Sequence, residues 1–169
     1  MKDHFSTILE YAKVYEAMEI LQRREGALLP IGDQKTGVIA EFYARLFAAE
    51  KFPSAELIYG TPSEHAWDIT VRRVGQPDHK IQVKAVSAHS TTSRVSPIHP
   101  GWHELYLMRL DKKLWPEGFW ILSAKQATWS AQKLGASTMP RSSGSGSVAF
   151  KGAEDNLPLL LSVLNAARG

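Results

Sequence analysis

Asp68, Gln82 and Lys84 are the residues of this chain whose types and spacing would do chemistry together. Asp68 lies in the run Ala-Trp-Asp-Ile-Thr-Val-Arg-Arg-Val (66–74), and the other two lie in His-Lys-Ile-Gln-Val-Lys-Ala-Val-Ser (79–87). Both runs alternate at period two, which predicts strands. Gly75-Gln76-Pro77-Asp78 between them is turn chemistry, so the pair reads as a hairpin. If the register pairs the apolar faces (Ile69 and Val71 with Ile81, Val83 and Ala85), then Asp68, Gln82 and Lys84 converge on the polar face beside Thr70. Cross-strand neighbours there are roughly 5 to 8 Å apart. A carboxylate, an amide carbonyl and an ammonium at that separation would share one divalent cation and one phosphate. The competing reading is a solvated sheet face, since any half-exposed hairpin alternates in this way.

Other elements must position that hairpin. Lys2 to Arg24 reads as a helix, with Phe5, Ile8, Leu9, Ala12, Tyr15, Met18, Ile20 and Leu21 at helical spacing and Gly26 and Pro30 as its stop. A second helix is expected from Thr36 to about Lys51, with Val38, Ile39, Phe42, Leu46 and Phe47 as its apolar stripe and Glu41 beside it. Strands are expected at about 55–59, 67–74, 80–87, 103–110 and 119–123, with a polar loop over 88–101. A short helix carrying Trp129 is expected over 124–134, a flexible Ser/Gly loop over 142–147, and a terminal helix over 155–167 capped by Asp155 or Asn156. There is no internal repeat and no second composition regime. The expectation is one α/β (α+β) domain with a central mixed sheet of about five strands flanked by helices.

Composition bounds the class. At 169 residues the chain is long enough to bury a real core. With 44% hydrophobic and 22% charged residues it has the balance of a soluble globular protein. Zero cysteines exclude disulfides, thiolate metal sites and a cysteine nucleophile. The polar start Met1-Lys2-Asp3-His4 lacks the apolar core of a signal peptide, and no run is apolar enough for a transmembrane helix. Together these predict a cytoplasmic protein without a membrane partner. A net charge of +3 permits a polyanionic partner without requiring one.

From about Gly37 to Ser87, and on to the strand near Leu110, the chain resembles the PD-(D/E)xK nuclease superfamily, the restriction-endonuclease-like fold. Asp68 matches the strand aspartate, Lys84 the lysine and Glu41 the helix acid. Trp67 stands where the family often has proline. Gln82 takes the place of the second acid, and this Gln-x-Lys variant is similar to the pattern of Mrr-like restriction nucleases; its amide offers an oxygen but no charge. The resemblance implies Mg²⁺ or Mn²⁺ held by Asp68, the Gln82 side chain and the Val83 backbone carbonyl, with Glu41 holding a water or a second ion. Lys84 would position or deprotonate the attacking water, or neutralise developing charge. The implied activity is endonucleolytic cleavage of DNA, double-stranded by family weight and of restriction or defence type, with RNA still open. A homodimer would suit two antiparallel strands, through the first helix (Phe5 to Leu21) or the terminal one (Leu157 to Leu164). Two alternatives stand: a binding module on the same fold without hydrolysis, which Gln82 favours, and an effector domain acting on RNA.

Further residues enter as candidates for the nucleic-acid surface. Arg72 and Arg73, with Lys80, form a basic patch on the hairpin. Ser87, His89 and Arg94 lie in or beside the loop that leaves the Lys84 strand, and Arg141 precedes the Ser/Gly loop. Asp33 and Glu64 rival Glu41 as the extra acid. His99 and His103 would make half a zinc site with no other ligand set in view. Trp102, Trp115, Trp120 and Trp129 read as core or interface anchors.

Overall fold

The computed structural model describes residues 2–24, 34–61 and 66–168. Asp33, Glu64 and the Gly26–Pro30 helix stop lie outside the described residues. Among the described residues the helices are α1 (Lys2–Arg24), α2 (Gln34–Lys51) and α3 (Leu157–Arg168). The strands are β1 (Glu56–Tyr59), β2 (Ile69–Arg72), β3 (His79–Ser87), β4 (Arg94–Val95), β5 (Glu104–Leu110), β6 (Pro116–Ser123), β7 (Ser137–Thr138) and β8 (Glu154–Asp155). Six of them form one mixed sheet in the order β1-β2-β3-β5-β6-β8, in which β3 and β5 run parallel and the other neighbours antiparallel. β4 and β7 form a separate two-stranded ribbon.

The sheet is covered on both faces, each by its own core. On one face lie all three helices. Ala40, Ala44 and Ala48 of α2 are fully buried, and small side chains at i, i+4 spacing let that helix approach the strands closely. Phe47 of α2 meets the rings of Tyr106 and Phe119 edge-on at 5.9 and 5.0 Å, pinning the helix over β5 and β6. On the other face Leu105, Leu107, Trp120 and Leu122 pack beneath the ribbon and its loops, together with Val95, Ile98, Met139 and Phe150. No helix among the described residues is long and apolar enough to cross a membrane.

Several expectations need correction. The sheet holds the five expected strands and adds a sixth, two-residue β8, beyond β6. Residues 124–134 form successive turns, not a helix. Ser123 Oγ accepts Lys125 N–H, Ser130 Oγ donates to the Ala124 carbonyl, and Trp129 Nε1 donates to the Ala149 carbonyl, so local side-chain bonds and the burial of Trp129 override helical pairing. Val38 belongs to no core stripe: it is half exposed, and the buried face of α2 turns through Ile39, Tyr43 and Phe47. Ile20 and Leu21 of α1 are likewise exposed. The Ser/Gly stretch is a bonded turn, in which Ser145 Oγ accepts the Arg141 and Ser142 N–H groups. Gly146 sits there at φ +83°, where an added Cβ would press on the backbone of Thr138 and Pro140 at 2.9 Å. The terminal helix begins as expected: Asp155 Oδ1 accepts Leu157 N–H, and the Asn156 carbonyl takes the first helical bond from Leu160.

Candidate active site

The hairpin has the register that brings the three residues together. Ile69 pairs with Ile81, Thr70 with Lys80 and Val71 with His79. Asp68, one residue before β2, donates its N–H to the Ile81 carbonyl at 2.9 Å and lines the same cavity as Gln82. Beyond this point β2 no longer accompanies β3. The N–H of Val83 lies on the same edge of β3 as the Ile81 carbonyl, and it donates instead to Asp68 Oδ2 at 2.6 Å. The aspartate thus takes the place of the missing strand. By the same strand geometry the Val83 carbonyl points towards this notch. The second Asp68 oxygen is not engaged by Val83.

Two neighbours fix the aspartate's backbone. Gly60, just past β1, donates its N–H to the Asp68 carbonyl at 2.8 Å. A Cβ on Gly60 would fall 2.8 Å from the Trp67 carbonyl oxygen, so only glycine fits the approach. Trp67 is held from β3 by Lys80, whose Nζ sits 3.2 Å from the ring centroid. The Lys80 charge is therefore spent beside the site rather than at the hairpin tip.

This polar face is partly enclosed. Gln82 is 1% exposed, and Asp68 and Lys84 are half-buried. The three open onto a cavity of about 340 Å³ whose other wall is Ser96, Pro97, His99 and Lys133. Lys84 Nζ donates to Ser96 Oγ at 3.1 Å across it. Glu41 reaches the same field from α2, its Oε1 lying over Gly37 one turn earlier. Burial first, then the Asp68 charge, push the Glu41 carboxyl up to about 7, with Lys84 opposing. Burial lowers the Lys84 ammonium, while Asp68 and Glu41 pull it back up. Glu41 is not part of the cavity lining, but it lies within electrostatic reach of Asp68 and Lys84.

The donor set suits a hard cation. Asp68 and Glu41 present carboxylate oxygens and the Gln82 amide one carbonyl oxygen, and a carboxyl raised by burial and by another carboxylate is one that a cation would relieve. Among the described residues no three His, Asp or Glu side chains cluster, so water and substrate would have to complete the shell. A zinc pair is not built. His99 lines the cavity, whereas His103 Nδ1 accepts Lys80 N–H at 3.0 Å and its ring stacks on His79.

The other candidates lie apart from the cavity lining, each with partners of its own. Arg72 contacts Glu56 and Asp78 at 3.5 and 3.4 Å, about four residues or ~13 Å along the strand from Asp68. Arg73 lies over the Phe52 ring. Ser87 points to the helix layer, where it accepts from Thr36 Oγ1. His89 is buried, with Nε2 against the Lys112 carbonyl at 2.8 Å. Arg94 ties β4 to the Ala136 carbonyl, and Arg141 heads the Ser145 turn. Sequence reasoning passed over Lys133 altogether, and it considered Ser96 and His99 only as members of the polar loop that leaves the Lys84 strand towards the phosphates, His99 also for zinc. No local pattern carries their convergence, because a long-range strand pairing creates it. The four tryptophans are core, as expected: Trp102 and Trp120 are buried, and Trp115 and Trp129 pack against the two clusters.

No protein-family model matches the chain, and no curated protein matches it in sequence. Among solved structures it is similar to a bacterial homing endonuclease, I-Ssp6803I, at a TM-score of 0.43 and 14% identity, over 80% of this chain and 96% of that one. A likeness of that depth does not bear on the chemistry, which rests on the site itself.

Proposed function

We propose that this chain is a metal-dependent endonuclease that hydrolyses DNA phosphodiesters at the Asp68–Gln82–Lys84 notch. The observation that carries the reading is that β2 begins only after Asp68, which takes the place of the missing strand beside Val83. This arrangement leaves a carboxylate, a buried amide and a half-buried ammonium on adjacent strands around an open cavity. A structural ion pair would need no such opening.

Asp68, the Gln82 amide oxygen and the Val83 carbonyl would hold Mg²⁺ or Mn²⁺, with Glu41 completing or watering the shell. When bound, the ion would stabilise charge on the phosphate and acidify water. Lys84, kept near the notch by Ser96, would orient the attacking water and offset the charge that grows on the phosphate. Gln82 supports the geometry without adding charge, so the site has one carboxylate fewer than the pattern it resembles.

That missing charge favours a second reading, a DNA-binding module without hydrolysis. Mn²⁺ titration followed by electron paramagnetic resonance separates the two. The nuclease reading expects a saturable site that Asp68→Ala abolishes. DNA binding with no such site would leave the binding module. Double-stranded DNA and a homodimer working across the duplex extend the same reading. Sedimentation with and without duplex tests the dimer.

A further inference from the structure

We propose that His99 and Lys133 form the second wall of the cleft and grip the DNA backbone from the side opposite Asp68 and Lys84. This rests on the nuclease reading above and names two contacts that it does not contain.

The wall is built by one strand-like bridge. Ile98 and Leu134 exchange both backbone hydrogen bonds at 2.9 Å, and their side chains pack into the core beneath the ribbon. Period-two alternation sends the next residue on each side the other way. His99 and Lys133 are therefore cross-strand neighbours facing outward, and both line the cavity. The ribbon behind them is firm. Met139 N–H donates to the Ser93 carbonyl, Arg94 Nη2 to the Ala136 carbonyl, and Val95 and Met139 are buried. A backbone fixed in this way leaves only the His99 and Lys133 side chains to be ordered when a ligand arrives.

Its charge fits a phosphodiester. Asp68 is the acid in the lining, against Lys84, Lys133 and the His99 imidazole. With a cation on Asp68, the cleft would be positive on both sides. A volume of about 340 Å³ admits a phosphate and its sugar rather than a stacked base pair. The ligand class is thus the backbone of a nucleic acid, met without reading of bases.

The test is fluorescence anisotropy of the full chain on a labelled DNA duplex in Ca²⁺, with EDTA as the comparison, across a NaCl series. Lys133→Ala should weaken binding about fivefold or more and reduce the salt slope by about 0.9. Lys133→Arg should retain both, and His99→Ala should weaken binding about threefold. Lys151→Ala, an exposed cation outside the cavity lining, should change neither. Lys133 is exposed, so its variants should keep the wild-type melting temperature. Wild-type binding with an unchanged slope and affinity in Lys133→Ala would overturn the clamp and leave the nuclease reading standing. Failure of the wild type to bind any DNA would remove both.

Discussion

Replacing Asp68 with asparagine separates two jobs of one carboxylate. The first is structural: Oδ2 accepts Val83 N–H at 2.6 Å where a strand carbonyl would otherwise be. A charge-assisted bond of this kind contributes roughly 1.5–3 kcal/mol, and a neutral amide oxygen keeps about half of it. Asp68→Asn should therefore cost about 1 kcal/mol, or ~2–4 °C in melting temperature for a chain of this size. Asp68→Ala leaves Val83 N–H without that acceptor and should cost about 2–3 kcal/mol, or ~4–12 °C. The second job is electrostatic. The Asp68 charge helps raise Glu41 to about 7, after burial. In Asp68→Asn the Glu41 titration, followed by carboxyl ¹³C NMR in EDTA, should move down towards the value that burial alone supports. The loss of that favourable charge should lower Lys84 further. Cleavage should vanish in both variants although the asparagine protein is folded. An asparagine variant that cleaves like the wild type, or a Glu41 midpoint that does not move, would refute this account of the notch.

Other outcomes follow from the same structure. Glu41 is ionised less readily in the fold than its ordinary value of 4.5, so its burden on stability grows as pH rises from 4.5 and is full above about 7. Glu41→Gln should then raise stability at pH 8 by about 1–2 kcal/mol, after discounting for its partial exposure, and change little at pH 4; thermal melts in EDTA at both pH values check this. Glu104 behaves oppositely. Burial works to raise its pKa, but hydrogen bonds and charges from His79 and Lys51 hold it at about 2 against 4.5. Its stabilisation is present above 4.5 and lost as pH falls through 2, on the order of 2–3 kcal/mol. Glu104→Gln should flatten the acid limb of a urea-unfolding series, and an unchanged limb would count against this reading. Gly60→Ala should displace the Trp67–Asp68 backbone, cost about 1–3 kcal/mol by overpacking and lower cleavage more than its melting temperature would explain.

The hairpin was legible because its two signals are local. Alternation placed Asp68, Gln82 and Lys84 on one face, and the turn at 75–78 joined the strands; the observed Ile69–Ile81 register is the one that apolar pairing demands. The long helices α1 and α2 were legible for the same reason, within two residues at each end. β5 alternates imperfectly because both its faces are covered: Leu105 and Leu107 feed one core, Tyr106 and Met108 the other. The two-residue strands β4, β7 and β8 have no period to read, and their partners lie far along the chain. That is also why the second wall of the cavity stayed hidden. Nothing near Lys133 announces His99, and only the Ile98–Leu134 bridge brings them side by side. The burial of Gln82 was equally invisible, since it depends on the ribbon that covers its face of the sheet.

The most direct test of the central claim is cleavage of supercoiled plasmid by the purified chain in Mg²⁺ or Mn²⁺, against the same chain in EDTA and against Lys84→Ala. The account predicts nicking or linearisation that requires the metal and disappears in Lys84→Ala, while the variant keeps its fold. A folded wild type that leaves modified, unmodified and single-stranded DNA intact, or cleavage that survives Lys84→Ala, would contradict it.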